Sequence, residues 1–250
     1  MTATRWWRTR CHRPSAARWR GRSSVDSGNV DASLNLRNWW LARGRRFPWR
    51  ENRTPYRVLV SEVLLHRTRA GSVARIYERF VERYPSPAAL AAADDSELAE
   101  MLRPLGLRWR TELIGRMARE IVERFGGEVP CDRDALLSLP GVGDYIASAV
   151  LVFGCGKFAP LLDTNIVRII ARYHGVPASD GSRRSARFAE LLSDLVDPSD
   201  PAASYYALID LGALVCRPHR PRCGECPIRD GCHYAAGRTG MSSRARSACR

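Results

Sequence analysis

Residues 137–150 read Leu-Ser-Leu-Pro-Gly-Val-Gly-Asp-Tyr-Ile-Ala-Ser-Ala-Val, and the middle of this stretch cannot continue a helix. Pro140 removes a backbone donor, while Gly141 and Gly143 open the positive-φ region that other residues avoid. Apolar residues flank the turn at helical spacing, Leu136, Leu137 and Leu139 before it and Ile146, Ala147, Val150 and Leu151 after it. The pattern predicts two closely packed helices joined by a tight turn whose N–H groups face outward. A second helix starting near Asp144 adds its positive end to those donors, which makes a site for one anion. A phosphate fits it.

Helical periodicity extends outward from this turn in both directions. It runs through residues 34–41, 56–68, 72–83, 86–93, 95–102 and 110–125, then 133–139, 144–153, 164–173, 185–196 and 202–215. Short Pro and Gly punctuation separates these segments, as at Pro85, Pro87, Gly106, Gly126-Gly127, Gly175 and Pro201. No convincing alternating strand appears. The fold class is therefore all-α, with ten or so short helices.

Charge and cysteines narrow the chemistry. The net charge is +14, and all but one of the forty basic residues are arginine, Lys157 being the single lysine. Residues 1–30 hold seven Arg against one Asp, and residues 237–250 hold four Arg and no acid. Both ends read as disordered, the first as an Arg-rich leader and the second as a basic tail, either solvated or drawn to phosphates. The longest apolar run, around Ala147 to Phe153, is too short for a membrane span. Residues 1–22 lack the apolar middle of a secretory signal. The chain reads as cytoplasmic, monomeric and without a membrane partner. Four of its eight cysteines, Cys11, Cys131, Cys155 and Cys249, are scattered, whereas four lie within seventeen residues. In a reducing compartment that clustering points to a metal site rather than to disulfides.

The clustered set is Cys216-x6-Cys223-x2-Cys226-x5-Cys232. Structural zinc usually takes two short Cys pairs with a long spacer, whereas four thiolates on one compact loop suit a cubane, with zinc the alternative. The hairpin resembles the helix-hairpin-helix motif of DNA repair glycosylases, and the cysteine spacing resembles the [4Fe–4S] loop of the endonuclease III superfamily. Over residues 31–236 the order and separation of the two are similar to the helix-hairpin-helix glycosylases. Arg46-Phe47-Pro48-Trp49-Arg50, Pro55-Tyr56 and Ser61-Glu62-Val63-Leu64-Leu65-His66-Arg67-Thr68 look like the mismatch branch of that superfamily, which holds adenine glycosylases and G·T thymine glycosylases. The resemblance implies a six-helix barrel domain at 57–157 and a cluster domain built from 31–56 and 158–236. It also implies a [4Fe–4S] cofactor on the four cysteines and, as partner, duplex DNA carrying a mismatched or damaged base.

Breaking an N-glycosidic bond leaves an oxocarbenium-like sugar, which calls for negative charge near C1′, a proton for the leaving base and a water. Asp163, in Leu161-Leu162-Asp163-Thr164-Asn165-Ile166, stands where the family's catalytic aspartate stands, and it also suits the N-cap of the helix that follows. Glu62 lies in an apolar run where a charge is costly without a purpose. By resemblance it faces the flipped base and hands it a proton. Family members that also cut the strand carry lysine where this chain has Tyr145, and a phenol cannot form their Schiff base. Tyr145 is similar to the residue of the thymine enzymes, where adenine enzymes usually carry serine.

The resemblance assigns DNA contacts to Leu139, Gly141, Val142 and Gly143. It assigns wedge roles to His66, Arg67, Leu107 and Arg108, which fill the hole a flipped nucleotide leaves. Ala70 matches the small residue of the thymine enzymes. Tyr206 fits neither branch; a ring there stacks on the flipped base or narrows the pocket. The expected activity is that of a monofunctional glycosylase removing thymine or uracil opposite guanine. The alternatives are an adenine glycosylase acting on A·G or A·oxidised G, and a non-catalytic iron–sulfur DNA-binding protein.

Overall fold

A computed structural model describes residues 27–106 and 109–237. Among these it has no β-strand; eleven α-helices build the fold, with a last helical stretch at 233–237. The helices are α1 (Ser27–Arg43), α2 (Pro55–Leu65), α3 (Ala70–Arg83), α4 (Pro87–Ala91), α5 (Asp95–Leu102) and α6 (Trp109–Phe125). They continue as α7 (Arg133–Leu137), α8 (Asp144–Ala149), α9 (Thr164–His174), α10 (Ala186–Leu192) and α11 (Pro201–Leu214). Each falls on a segment that the periodicity marks. Most of the leader and of the tail, with Cys11 and Cys249, lies outside the described residues, as do Leu107 and Arg108.

Local chemistry sets most helix starts. Thr54, Ser86, Asp94, Asp132, Asp163 and Asp200 each accept a first-turn N–H with their side chains. Proline follows the cap in α2, α4 and α11, where its missing donor costs nothing. α2 runs through the middle of the first group of helices, packing on α3, α6 and α8. It buries Val58, Leu59, Val60, Val63 and Leu64, each worth roughly 1.5–3 kcal/mol. α1 and α9 pack on α11, and α10 packs on α9. α11 is buried on nearly every side.

Two features join these groups. After α8 the chain takes a π-helical turn, Val150–Gly154, which packs on α2 and α11. A Cβ on Gly154 would stand 2.7 Å from Pro55 Cα, so only glycine lets the turn close on α2. The second is an ion cluster on Asp210 of α11, whose side chain is wholly buried. Arg50 grips it with both Nη atoms at 2.8 and 3.0 Å, and Arg45 adds Nε at 2.7 Å.

The structure departs from the sequence expectations at the end of α2 and at two cysteines, among other places. α2 stops at Leu65 rather than Thr68, because Arg67 turns to φ 56°. Cys131 and Cys155, expected as scattered thiols, form a disulfide across 24 residues. The hairpin folds its two flanks together, so cysteines remote in sequence become neighbours.

Candidate active site

The hairpin links α7 to α8. Val142 donates its N–H to the Leu139 carbonyl at 3.2 Å and closes the turn. Leu139 and Val142 have buried side chains, so only their backbone groups can meet a ligand. Gly141 stands at φ 76°, and a Cβ there would approach Leu113 Cδ2 to 2.5 Å. Gly143 corrects the expectation: its φ of −98° suits any residue. Its missing side chain instead leaves the start of α8 open, with nothing within 4 Å of the Cβ position. No side chain caps that helix, and its first-turn N–H groups have no partner inside it.

α2 packs on α8, and Asp163 at the start of α9 lies near enough to act on Glu62 and Tyr145 electrostatically. Asp163 is both the N-cap of α9 and a member of the site: Oδ1 accepts the Ile166 N–H at 2.7 Å, and Oδ2 accepts Asn165 Nδ2 at 2.9 Å. Those two bonds fix its direction. Glu62 is half-buried on α2, and burial pushes its carboxyl up to about 7, with the Asp163 charge adding to the effect and Arg50 opposing it. Burial also raises the Tyr145 hydroxyl well above its ordinary range, helped by Glu62, Asp163 and Tyr206 and opposed by Arg50. The phenol is thereby held neutral. Lys157 is elsewhere, its Nζ donating to the Cys131 carbonyl at 2.6 Å.

Tyr206 is buried, and its ring faces are taken. Phe153 stacks on it with centroids 4.3 Å apart and planes 6° apart, and the Arg50 guanidinium lies 4.5 Å from the same centroid. Trp40 stacks on the ring as well, with centroids 5.8 Å apart, so three neighbours crowd it. The hydroxyl edge remains. Arg53 lies 6.0 Å from the same centroid, and the hydroxyl feels the charges of Arg53, Arg50 and Glu62. With three neighbours on the ring, the packing favours the alternative in which Tyr206 narrows the site.

His66 and Arg67 are exposed on the loop between α2 and α3, and Ala70 is half-buried at the start of α3. Trp109, the first residue of α6, is also exposed and meets His66 edge-on with centroids 6.1 Å apart. Basic and aromatic side chains are thus grouped at the end of α2.

Residues 60–194 match the family described as "HhH-GPD superfamily base excision DNA repair protein". The chain belongs to that superfamily. A thymine-DNA glycosylase of Aeropyrum pernix is 38% identical over 216 residues, covering 84% of this chain and 97% of that protein. A thymine/uracil-DNA glycosylase of Pyrobaculum aerophilum is 40% identical, covering 76% and 85%. Among solved structures, a thermostable thymine-DNA glycosylase superposes with a TM-score of 0.77 at 34% identity, covering 84% of this chain and 98% of that one.

In this HhH-GPD chain the cysteines 216, 223, 226 and 232 are free and half-buried. Their charges act on one another at Cys226, so the four share a neighbourhood. Among the described residues no three or more His, Cys, Asp or Glu side chains are spaced for a single metal ion. Arg172 donates to Cys216 Sγ at 3.4 Å and to the carbonyls of Arg217 and Pro218, while Arg168 holds the Cys216 carbonyl at 3.0 Å. Arg168 also donates to Asn165 Oδ1 at 3.0 Å. Hydrogen bonds therefore run from Asp163 through Asn165 and Arg168 to the cysteine loop.

Several residues of this HhH-GPD site went unassigned at the level of sequence: Arg50, Asn165, Trp109 and Arg110. Arg110 had a signal, since it opens the apolar stripe that continues as Ile114, Met117, Ala118 and Ile121. Arg50 and Trp109 carry none, because their roles depend on partners remote in the chain, and Asn165, though its partners Asp163 and Arg168 are near in sequence, forms no distinctive pattern.

Proposed function

We propose that the chain is a monofunctional DNA glycosylase that releases thymine or uracil mispaired with guanine from duplex DNA, working as a monomer in the cytoplasm. The carrying observation is that Glu62, Asp163 and Tyr145 form one electrostatically coupled site beside an uncapped helix start. The relatives named as thymine and thymine/uracil glycosylases support the choice of base.

In this reading the hairpin backbone and α8 hold a phosphate, and the target nucleotide turns out of the stack toward Glu62. The bond from C1′ to the base nitrogen breaks with its electron pair leaving on the base. Asp163 faces the positive charge that develops on the sugar. At about 4 Å and an effective dielectric near 20, that attraction is roughly 4 kcal/mol, or about three decades of rate. Glu62 holds a proton near neutrality and gives it to the base. It then takes one from the water that adds to C1′, which closes the proton balance. Tyr145 contributes a neutral hydroxyl and no amine, so the strand is left intact at an abasic site. Tyr206 presents its hydroxyl edge to the base and leaves room for a pyrimidine.

The four free cysteines fit a [4Fe–4S] cluster as part of the same proposal, being near enough to interact with one another. Four thiolates fill such a cluster's outer positions, so its contribution is to order the loop carrying Arg217, His219, Arg220 and Arg222.

Single-turnover rates on duplexes differing only at the mismatch test the proposal. Release from G·T and G·U should be fast and from A·G slow, and the reverse order would overturn the assignment. Borohydride treatment should trap little protein on DNA. Efficient trapping by the unmodified enzyme would exclude a monofunctional mechanism.

A further inference from the structure

Arg110 is the largest fully buried side chain among the described residues, at 0% exposure in the first turn of α6. Among those residues no carboxylate pairs with it. Its guanidinium instead donates to three acceptors around one loop: Nη1 to the Leu64 carbonyl at 2.9 Å, and Nη2 to the His66 carbonyl at 2.6 Å and Thr68 Oγ1 at 2.9 Å. Its Nε has no partner. A buried cation without a counter-charge is expensive, and carbonyls at the negative end of α2 are a modest return for it. The loop it grips explains the expense.

Arg67 lies between two of those acceptors at φ 56°, a left-handed conformation that a non-glycine side chain holds only when its surroundings impose it. Its neighbour His66 meets the exposed Trp109, which directly precedes Arg110. One buried guanidinium thus ties the strained loop after α2 to the start of α6. The exposed His66, Arg67 and Trp109 become a single projection at the end of α2.

We infer that Arg110 is a positioning residue for opening the base pair: it presets the α2–α3 loop so that Arg67, with His66 and Trp109, enters the duplex as the target base leaves. This inference rests on the glycosylase reading above. Holding the loop preset removes the ordering cost from the step at which the helix opens.

The test compares unmodified enzyme with Arg110→Met and, as a milder change at a half-buried position, Thr68→Val. Two measurements are made. One is the fluorescence of 2-aminopurine placed beside the mismatch, which reports unstacking. The other is the single-turnover rate on G·U and on uracil opposite an abasic-site analogue, where no pair has to be broken. Arg110→Met should lower the fluorescence rise and slow release from G·U at least tenfold, while release opposite the analogue stays within about threefold. Thr68→Val should move both readouts in the same direction by less.

If both variants unstack and release from G·U as the unmodified enzyme does, the inference is wrong. Equal slowing on the two duplexes by Thr68→Val would also overturn it, since that points to a general structural role. Should Arg110→Met fail to fold, Thr68→Val decides alone. Failure of the glycosylase reading is separate: the unmodified enzyme would then release no base from any duplex, and unstacking by the two variants would still judge the loop.

Discussion

Two carboxylates share this site, and the proposed mechanism gives them different work. Asp163 is aimed by a backbone N–H and by Asn165, while Glu62 is held up to about 7 by burial and by the Asp163 charge. Asp163→Asn keeps a good helix cap, so it should fold and bind DNA normally while losing about three decades of base release. Binding and single-turnover assays on one preparation separate the two effects. For Glu62, base release should fall tenfold per pH unit above about 7, as the proton it donates is lost. The same shift has a stability sign. The folded value lies above the ordinary 4.5, so its contribution is whole below that value and is lost as pH rises through about 7. Glu62→Gln should therefore melt higher than the unmodified protein at pH 8 and no higher at pH 4, and an unchanged difference across that range would contradict the burial argument. Both carboxylates were legible in the sequence, one as a cap before an apolar helix and one as a charge inside an apolar run. Tyr206 was only half legible, because Phe153 and Arg50, which cover its faces, come from distant segments.

Helices were the most readable elements, since caps, prolines and a 3.6-residue period all act within one turn of the chain. Every segment with that period became a helix. What escaped were departures from regularity: the π-helical turn at Val150–Gly154 and the early end of α2. Each is imposed by a partner outside the element, α2 and α11 in the first case and Arg110 in the second. The Cys131–Cys155 disulfide escaped for the same reason. It brackets α7, the hairpin and α8, so it fastens the two flanks of the turn to each other. Closing a loop of 24 residues removes enough freedom from the unfolded chain to be worth about 3 kcal/mol. Cys155→Ser should lower unfolding stability by about that amount, measured by urea titration. Reductant should bring the unmodified protein down to the variant's curve and leave the variant unmoved. If reductant shifts neither protein, the bond contributes nothing in solution.

Across the whole molecule, the cluster on Asp210 connects scaffold to chemistry. Burial pushes the Asp210 carboxyl up, but hydrogen bonds and charge from Arg50 and Arg45 outweigh that and hold it below the usual range. Arg50 in turn lies over Tyr206 and lowers the Glu62 and Tyr145 values. One arginine therefore answers to the packing of α11 and to the acid on α2. Breaking a buried pair by removing one charge costs about 3–5 kcal/mol. Asp210→Asn should lose stability of that order in denaturant. It also leaves the Arg50 charge uncompensated, so the Glu62 value should move down, and the alkaline fall in base release should begin at lower pH than in the unmodified protein. Rates at saturating enzyme across pH 5–9, taken at a temperature where the variant stays folded, decide between two outcomes. A profile displaced to lower pH means the ion cluster sets the acid's poise; loss of stability with an unmoved profile means Asp210 only fastens α11 to the segment before α2.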